Sequence, residues 1–333
     1  MRTCVCCYGI TIYLKVSTTP SFQRPVLTTT YTADSNGLNI EPFFHAQSST
    51  LSYVVYTNDA PDCIVVDPVL DFDMSSGTVS SESAAQLVDF IERNDLVLHT
   101  ILETHAHADH MSAAMWLKQR CGARIGIGTG IKAIQQYFAP LYGMAQEYAD
   151  VTSYFDFFVD DGEVLSIGGM SVRCIHVPGH TPACMAYAIA DAVFVGDTLF
   201  MPDAGTARCD FPGGSASQLF RSVRKLLELP ADTRIFVCHD YQPNGRELHY
   251  VATVADHREA NIHINDVSSE KDFVTLRTTR DSTLSMPSLI LPSLQVNIRA
   301  GQLPRNHQSN QPALTIPLNV FSDDSSVVDL ISK

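Results

Sequence analysis

Four metal-competent side chains follow one strand without a spacer. The run Leu96–Leu102, rich in leucine and β-branched residues, reads as a strand ending at Glu103-Thr104, and His105-Ala106-His107-Ala108-Asp109-His110 comes directly after it. Imidazoles two apart in an extended loop can point together. Asp109-His110, placed at the start of the apolar helix predicted over Met111–Arg120, can face a second position on the same cleft. A polar loop capping that helix through Asp109 would account for one of these residues but not for the histidines.

From residue 38 onward, short strands alternate with helices. Leu51–Tyr56 and Cys63–Asp67 read as strands around the turn-forming Asn58-Asp59-Ala60-Pro61, an early antiparallel hairpin. Ser81–Asn94 carries Ala84, Leu87, Val88 and Ile91 at helical spacing and precedes the Leu96–Leu102 strand. Arg124–Ile127 as strand and Ile131–Phe138 as helix continue an α/β rhythm. Val164–Ile167, Ser171–His176, Cys184–Ile189 and Ala192–Val195 then read as consecutive strands. A helix over Ser215–Glu228, a strand over Arg234–Cys238 and a helix over Leu248–Asn261 follow.

Later strands end in groups of the same kind as the first cluster. Val177-Pro178-Gly179-His180-Thr181 follows one, Gly196-Asp197 another and His239-Asp240-Tyr241 a third. A single His or Asp after a strand usually caps or hydrogen-bonds. Their joint order behind the first cluster points instead to ligands.

The order THAHADH at Thr104–His110, PGHT at Pro178–Thr181, GDTLF at Gly196–Phe200 and HDY at His239–Tyr241 resembles the metallo-β-lactamase superfamily over most of residues 38–265. The narrower similarity is to the persulfide dioxygenase (sulfur dioxygenase) group and the bacterial β-lactamase-hydrolase-like proteins. It is carried by ETHAHADH, HTPACMAY at His180–Tyr187, FVGDTLF at Phe194–Phe200, TARCDFPGG at Thr206–Gly214 and LPSLQVNIRAGQLP at Leu291–Pro304. The resemblance implies an α/β fold, a four-layer αββα sandwich with the metal site at one edge between two sheets, followed by a C-terminal extension over 266–333.

By that resemblance one Fe(II) per chain would be held by His105, His180 and Asp197. Two imidazoles and one carboxylate on one face suit iron that must bind a substrate and O₂ together. His107, Asp109, His110 and His239 would then orient the ligands and ordered water. A glyoxalase II-like hydrolase would use the same side chains for two zinc ions, with His105, His107 and His180 on one, Asp109, His110 and His239 on the other, and Asp197 bridging. The TARCDFPGG and NIRAGQLP segments favour the dioxygenase group.

The substrate implied by the resemblance is glutathione persulfide, with O₂ as co-substrate. Arg208 and Tyr241 are candidate contacts to it, and Asp109 is the third candidate catalytic group. Arg208 could instead pair with neighbouring Asp210, and Tyr241 could be a core tyrosine with a satisfied hydroxyl. Cys184 and Cys209 flank the motifs and read as packing residues.

Composition fits a small-molecule enzyme. A formal charge of −14 opposes general binding to nucleic acid or an anionic membrane surface. Nine cysteines without a regular framework read as free thiols. No apolar run reaches the ~18 residues of a membrane-spanning helix. Residues 1–32 lack Asp and Glu, carry Arg2, Lys15 and Arg24, and are rich in Ser and Thr. They fit either a targeting segment of a mitochondrial protein or a disordered start of a cytoplasmic one. The C-terminal extension could pack on the sandwich or help to build a homodimer.

Overall fold

The computed structural model describes residues 37–144, 154–306 and 308–321. The N-terminal segment and the polar end after Phe321 lie outside those residues.

Apolar residues on both faces of a strand require cover on both sides, and the first sheet obeys this. Its strands are β1 (Leu38–His45), β2 (Thr50–Thr57), β3 (Asp62–Val66), β6 (Val97–Glu103), β8 (Arg124–Gly128) and β9 (Phe157–Val159), in the order β1-β2-β3-β6-β8-β9. The expected hairpin is present, with β2 antiparallel to β3 and Val54 opposite Val65. From β3 to β9 the pairing is parallel. The intervening helices α1 (Glu82–Arg93), α2 (Ala114–Cys121) and α3 (Ile131–Phe138) cover one face through Leu87, Ile91, Leu117 and Ile134.

The second sheet runs β10 (Val164–Ile167), β11 (Met170–His176), β12 (Met185–Ile189), β13 (Ala192–Phe194), β14 (Arg234–Phe236) and β15 (Val251–Thr253) in sequence order. Helices α4 (Ala216–Leu227), α5 (Val254–Ala260) and α6 (Glu270–Asp281) cover its outer side through Leu219, Val223, Val254 and Phe273. The two sheets meet face to face. Tyr53 of β2 packs on Phe194 and Phe236, with ring centroids 5.1 and 5.6 Å apart, and its hydroxyl donates to the Val237 carbonyl at 2.5 Å. The result is the αββα layering the sequence implied.

Two helix expectations are corrected. Met111–Ser112 is not the start of α2 but strand β7, paired with Leu70 and Val69 of β4 (Val69–Asp73), which also pairs with β5 (Thr78–Ser80). Buried edge pairing overrides a helix-like apolar pattern here. Asp109-His110 therefore precede a strand, not a helix. Likewise, Val251–Thr253 pairs with β14, and α5 starts only after Thr253, whose side chain forms a reciprocal capping box with Asp256.

The residues expected as an extension are woven into the sandwich. Helix α7 (Ile290–Asn297) places Ile290 and Leu294, with Ile298 just after it, in the core beneath α2 and α3. Gln135 of α3 donates to the Ile298 carbonyl at 2.8 Å. The six cysteines among the described residues are unpaired. No helix among those residues is long and apolar enough to cross a membrane.

Candidate metal centre

Parallel strands carry whatever follows them to one edge, and loops from both sheets converge there. Strand β6 delivers His105–His110, the loop after β11 delivers His180, the turn after β13 delivers Asp197, and β14 delivers His239. The sheets are tied at that edge by Leu51 N–H donating to the Cys238 carbonyl at 2.7 Å and by Met185 N–H donating to the Thr104 carbonyl at 2.9 Å.

Four of the five imidazoles have Nδ1 engaged by the protein. His105 Nδ1 donates to Thr104 Oγ1 at 3.0 Å, and that hydroxyl donates in turn to Asp67 Oδ2 at 2.8 Å. His180 Nδ1 donates to the Arg208 carbonyl at 2.8 Å, His110 Nδ1 to the Met111 carbonyl at 3.3 Å, and His239 Nδ1 to the Ser49 carbonyl at 3.3 Å. Fixing the proton on Nδ1 leaves a lone pair on each Nε2. Those of His105, His110 and His239 are buried without a hydrogen-bond partner, as are Asp109 Oδ2 and Asp197 Oδ1. Orphaned buried polar atoms are costly unless something else satisfies them. A metal ion does so, and the donor set fits one.

Distances sort the donors into groups. One ligand atom each from His105, His180 and Asp197 lies within 4.8 Å of the other two, and a second set joins His107, His110, Cys238 and His239. Asp197 Oδ2 stands 3.9 Å from His105 Nε2 and 3.6 Å from His180 Nε2, while its Oδ1 is 3.3 Å from His239 Nε2. Asp109 Oδ2 lies 3.4 Å from His239 Nε2. His107 is oriented differently: its Nε2 faces Asp67 Oδ1 at 3.1 Å and Glu103 Oε2 at 3.5 Å.

The electrostatics follow from burial and neighbours. Burial, aided by the surrounding imidazoles, holds His105 well below the usual histidine range, and His110 is pushed down to about 3 mainly by burial. Both are neutral and able to coordinate at pH 7. Burial also opposes charge on His107, but the Asp67 carboxylate and its hydrogen bond outweigh it and raise the group well above the ordinary value. Cys184 and Cys209 are buried thiols raised to about 12, inert as nucleophiles.

The centre opens into a cleft of about 620 Å³ lined by Asp109, His180, Asp197, Arg208, Phe211 and Tyr241, among others. Arg208 makes the ion pair to Asp210, with Nε to Oδ1 and Nη2 to Oδ2 both at 2.6 Å, and donates through Nη1 to the Ser285 carbonyl at 2.6 Å. It lines the cleft with its guanidinium over the Phe211 ring. Tyr241 is half-exposed, its ring stacked on His239 with centroids 5.6 Å apart.

Sequence reasoning missed Asp67, Cys238 and Asn297 at this site. Asp67 closes a buried strand beside β6, a position that could have marked it. Cys238 adjoins His239 but lacked a recognisable spacing. Asn297 belongs to a segment remote in sequence.

The glycine of Pro178-Gly179-His180 is required by geometry: its φ is +147°, and a Cβ would collide with the Leu219 backbone of α4. Gly179→Ala is expected to cost about 1–3 kcal/mol by strain alone and to loosen His180. Denaturant unfolding beside metal titration checks both effects.

Residues 47–239 match the family model of the metallo-beta-lactamase superfamily. The chain is 47% identical over 294 residues to a probable metallo-hydrolase of Burkholderia pseudomallei, covering 85% of this chain and 100% of the relative. It is 44% identical over 287 residues to glyoxylase B2 of Dictyostelium discoideum, covering 86% and 98%. Among solved structures, ETHE1 from Myxococcus xanthus superposes with a TM-score of 0.64 at 25% identity, covering 79% of this chain and 99% of its own. With its clustered His and Asp donors at the shared edge of two sheets, the chain belongs to the metallo-β-lactamase superfamily and is an enzyme of that superfamily.

Proposed function

We propose that the protein is a persulfide dioxygenase that converts glutathione persulfide, O₂ and water to glutathione and sulfite at one Fe(II). The reading rests on one observation. His105, His180 and Asp197 form a donor set of two imidazoles and one carboxylate, and His107 falls in the other group. A three-ligand face leaves positions open for two reactants, which suits iron. Bound there, iron would supply adjacent coordination positions at which the persulfide and O₂ meet, and holding reactants together removes much of the entropic barrier.

The chain's own residues do the rest. Thr104 and the Arg208 carbonyl lock the tautomers of His105 and His180. Phe200 and Phe211 line the cleft with apolar surface beside these ligands, and Phe211 packs edge-on against His180 with centroids 5.1 Å apart. Arg280 lines the same cleft and would be the arginine to meet a carboxylate of a glutathionyl group, since Arg208 and Arg277 are already paired with Asp210 and Asp281. Tyr241 borders the same space beside His239.

The donors of His107, His110, Cys238 and His239, together with the metallo-hydrolase and glyoxylase names of two relatives, favour a second reading, a dinuclear hydrolase of glutathione thioesters. An oxygen electrode with fresh glutathione persulfide, run beside lactoylglutathione hydrolysis on the same iron-loaded protein, separates the two. Oxygen uptake at one O₂ per sulfite is the expected result. Rapid anaerobic thioester cleavage without oxygen uptake would overturn the dioxygenase and leave the hydrolase.

A further inference from the structure

We propose that Asn297, at the end of α7, is a positioning residue of the metal centre: its carboxamide sets the backbone of the loop that presents His107, Asp109 and His110. Its Nδ2 donates to the His107 carbonyl at 2.8 Å and to the His110 carbonyl at 2.7 Å, while its Oδ1 accepts from Ser112 N–H at 2.8 Å. Asn297 is only 4% exposed. One planar group thus fixes the loop at points on both sides of Asp109-His110.

The loop needs such a partner. Between β6 and β7 it has no ladder, so its buried carbonyls must find donors elsewhere. Other side chains of similar size fail for definable reasons. Aspartate would set a carboxylate oxygen against two carbonyl oxygens, and leucine would leave three backbone groups unsatisfied. A second link runs through Ser112, whose hydroxyl donates to Glu103, the carboxylate that faces His107.

The approach of α7 is itself built for this contact. Gly301, four residues on, has φ +84°, and a Cβ there would stand 2.6 Å from the Ser112 carbonyl oxygen. Only a glycine lets the end of α7 lie against β7. The segment Leu291–Pro304 therefore carries part of the site, although it contributes no group that faces the metal position.

Gln135 provides the control. It too is a fully buried amide bonded to the α7 region, through the Ile298 carbonyl, yet it does not touch the loop. Asn297→Leu and Gln135→Leu are compared in full-length protein by three measurements: amide hydrogen exchange of the metal-free form, the visible d–d bands of the cobalt(II)-loaded form, and kcat and KM in whichever assay the wild type supports. The first two readouts hold whether the centre is a dioxygenase or a hydrolase, so failure of that reading does not disguise failure here. Asn297→Leu is expected to deprotect the Ser112 amide, shift the cobalt bands and lower kcat about 10- to 100-fold with KM nearly unchanged, as loss of an outer-shell partner does. Gln135→Leu lowers stability and leaves the bands and kcat as in wild type. If Asn297→Leu does not fold, Asn297→Ser, which keeps one hydroxyl for the loop, carries the test with the same signs and smaller shifts. Bands and kcat for the Asn297 variant that match those of Gln135→Leu would overturn the proposal. So would a kcat loss that disappears on cooling in step with recovered folding.

Discussion

Protein purified without added metal is expected to carry about one iron per chain, and alanine at His105, His180 or Asp197 to abolish its retention. Each removes one of three donors that converge within 4.8 Å. Each also leaves its neighbours less satisfied, because His105 and His180 both face Asp197 Oδ2. Alanine at Asp109 or His110 is expected to act differently. Their donors lie in the region of His239, so much of the iron stays while activity falls about 10- to 100-fold, the usual effect of losing a group that orients ligands. Elemental analysis of the five variants decides the matter. Two zinc ions per wild-type chain, one of them lost in Asp109→Ala, would sink the mononuclear assignment.

The largest stability effect is expected away from the metal, at Asp281. Arg277 of α6 is 1% exposed and pairs with Asp281 one turn later. The guanidinium also donates to the Thr206 carbonyl at 3.1 Å, and Asp281 Oδ2 accepts from Cys209 N–H at 2.9 Å. This pair staples α6 to the Thr206–Cys209 segment that lines the cleft. Asp281→Ala leaves a buried guanidinium without its counter-charge, a change that costs about 3–5 kcal/mol. Replacing both partners with apolar residues of similar volume, Arg277→Met with Asp281→Leu, is expected to recover most of that loss. Urea unfolding of the single and double variants provides the comparison. A single-variant loss below ~1 kcal/mol would show that water reaches the guanidinium and that the pair is not a staple.

Legibility in the sequence tracked locality. The ligand loop was readable because Thr104–His110 places its donors within a few residues behind one strand, and β2, β3, β6, β8 and β10–β14 follow from short apolar runs between turn residues, whereas β4, β5 and β9 were not expected. The errors arose where a distant partner decides the local state. Met111–Ser112 is a strand because Val69 and Leu70 pair with it, and Val251–Thr253 is a strand because β14 does. Neither partner is visible in a local window. Strand β1 had no distinct signal of its own, since its alternation of buried and half-buried residues includes Asn39, Glu41 and Pro42. The relation of Asn297 to the ligand loop spans 190 residues and could not be read from spacing. The sequence also left the role of Arg208 open between ligand and ion pair. The structure shows the ion pair to Asp210 formed on a side chain that still lines the cleft.

The donor groups come from both halves of the sandwich: His105, His107, Asp109 and His110 from the first sheet, His180, Asp197 and His239 from the second. An ion held there would therefore tie the two sheets together in the native state as well as serve as a cofactor. Its binding free energy adds to the free energy that docks one sheet on the other, by thermodynamic linkage. Tightness of the metal and adhesion of the two layers are then one quantity seen from two sides, and a change that loosens the sheet interface at Tyr53, which contributes no donor itself, weakens the grip on the ion.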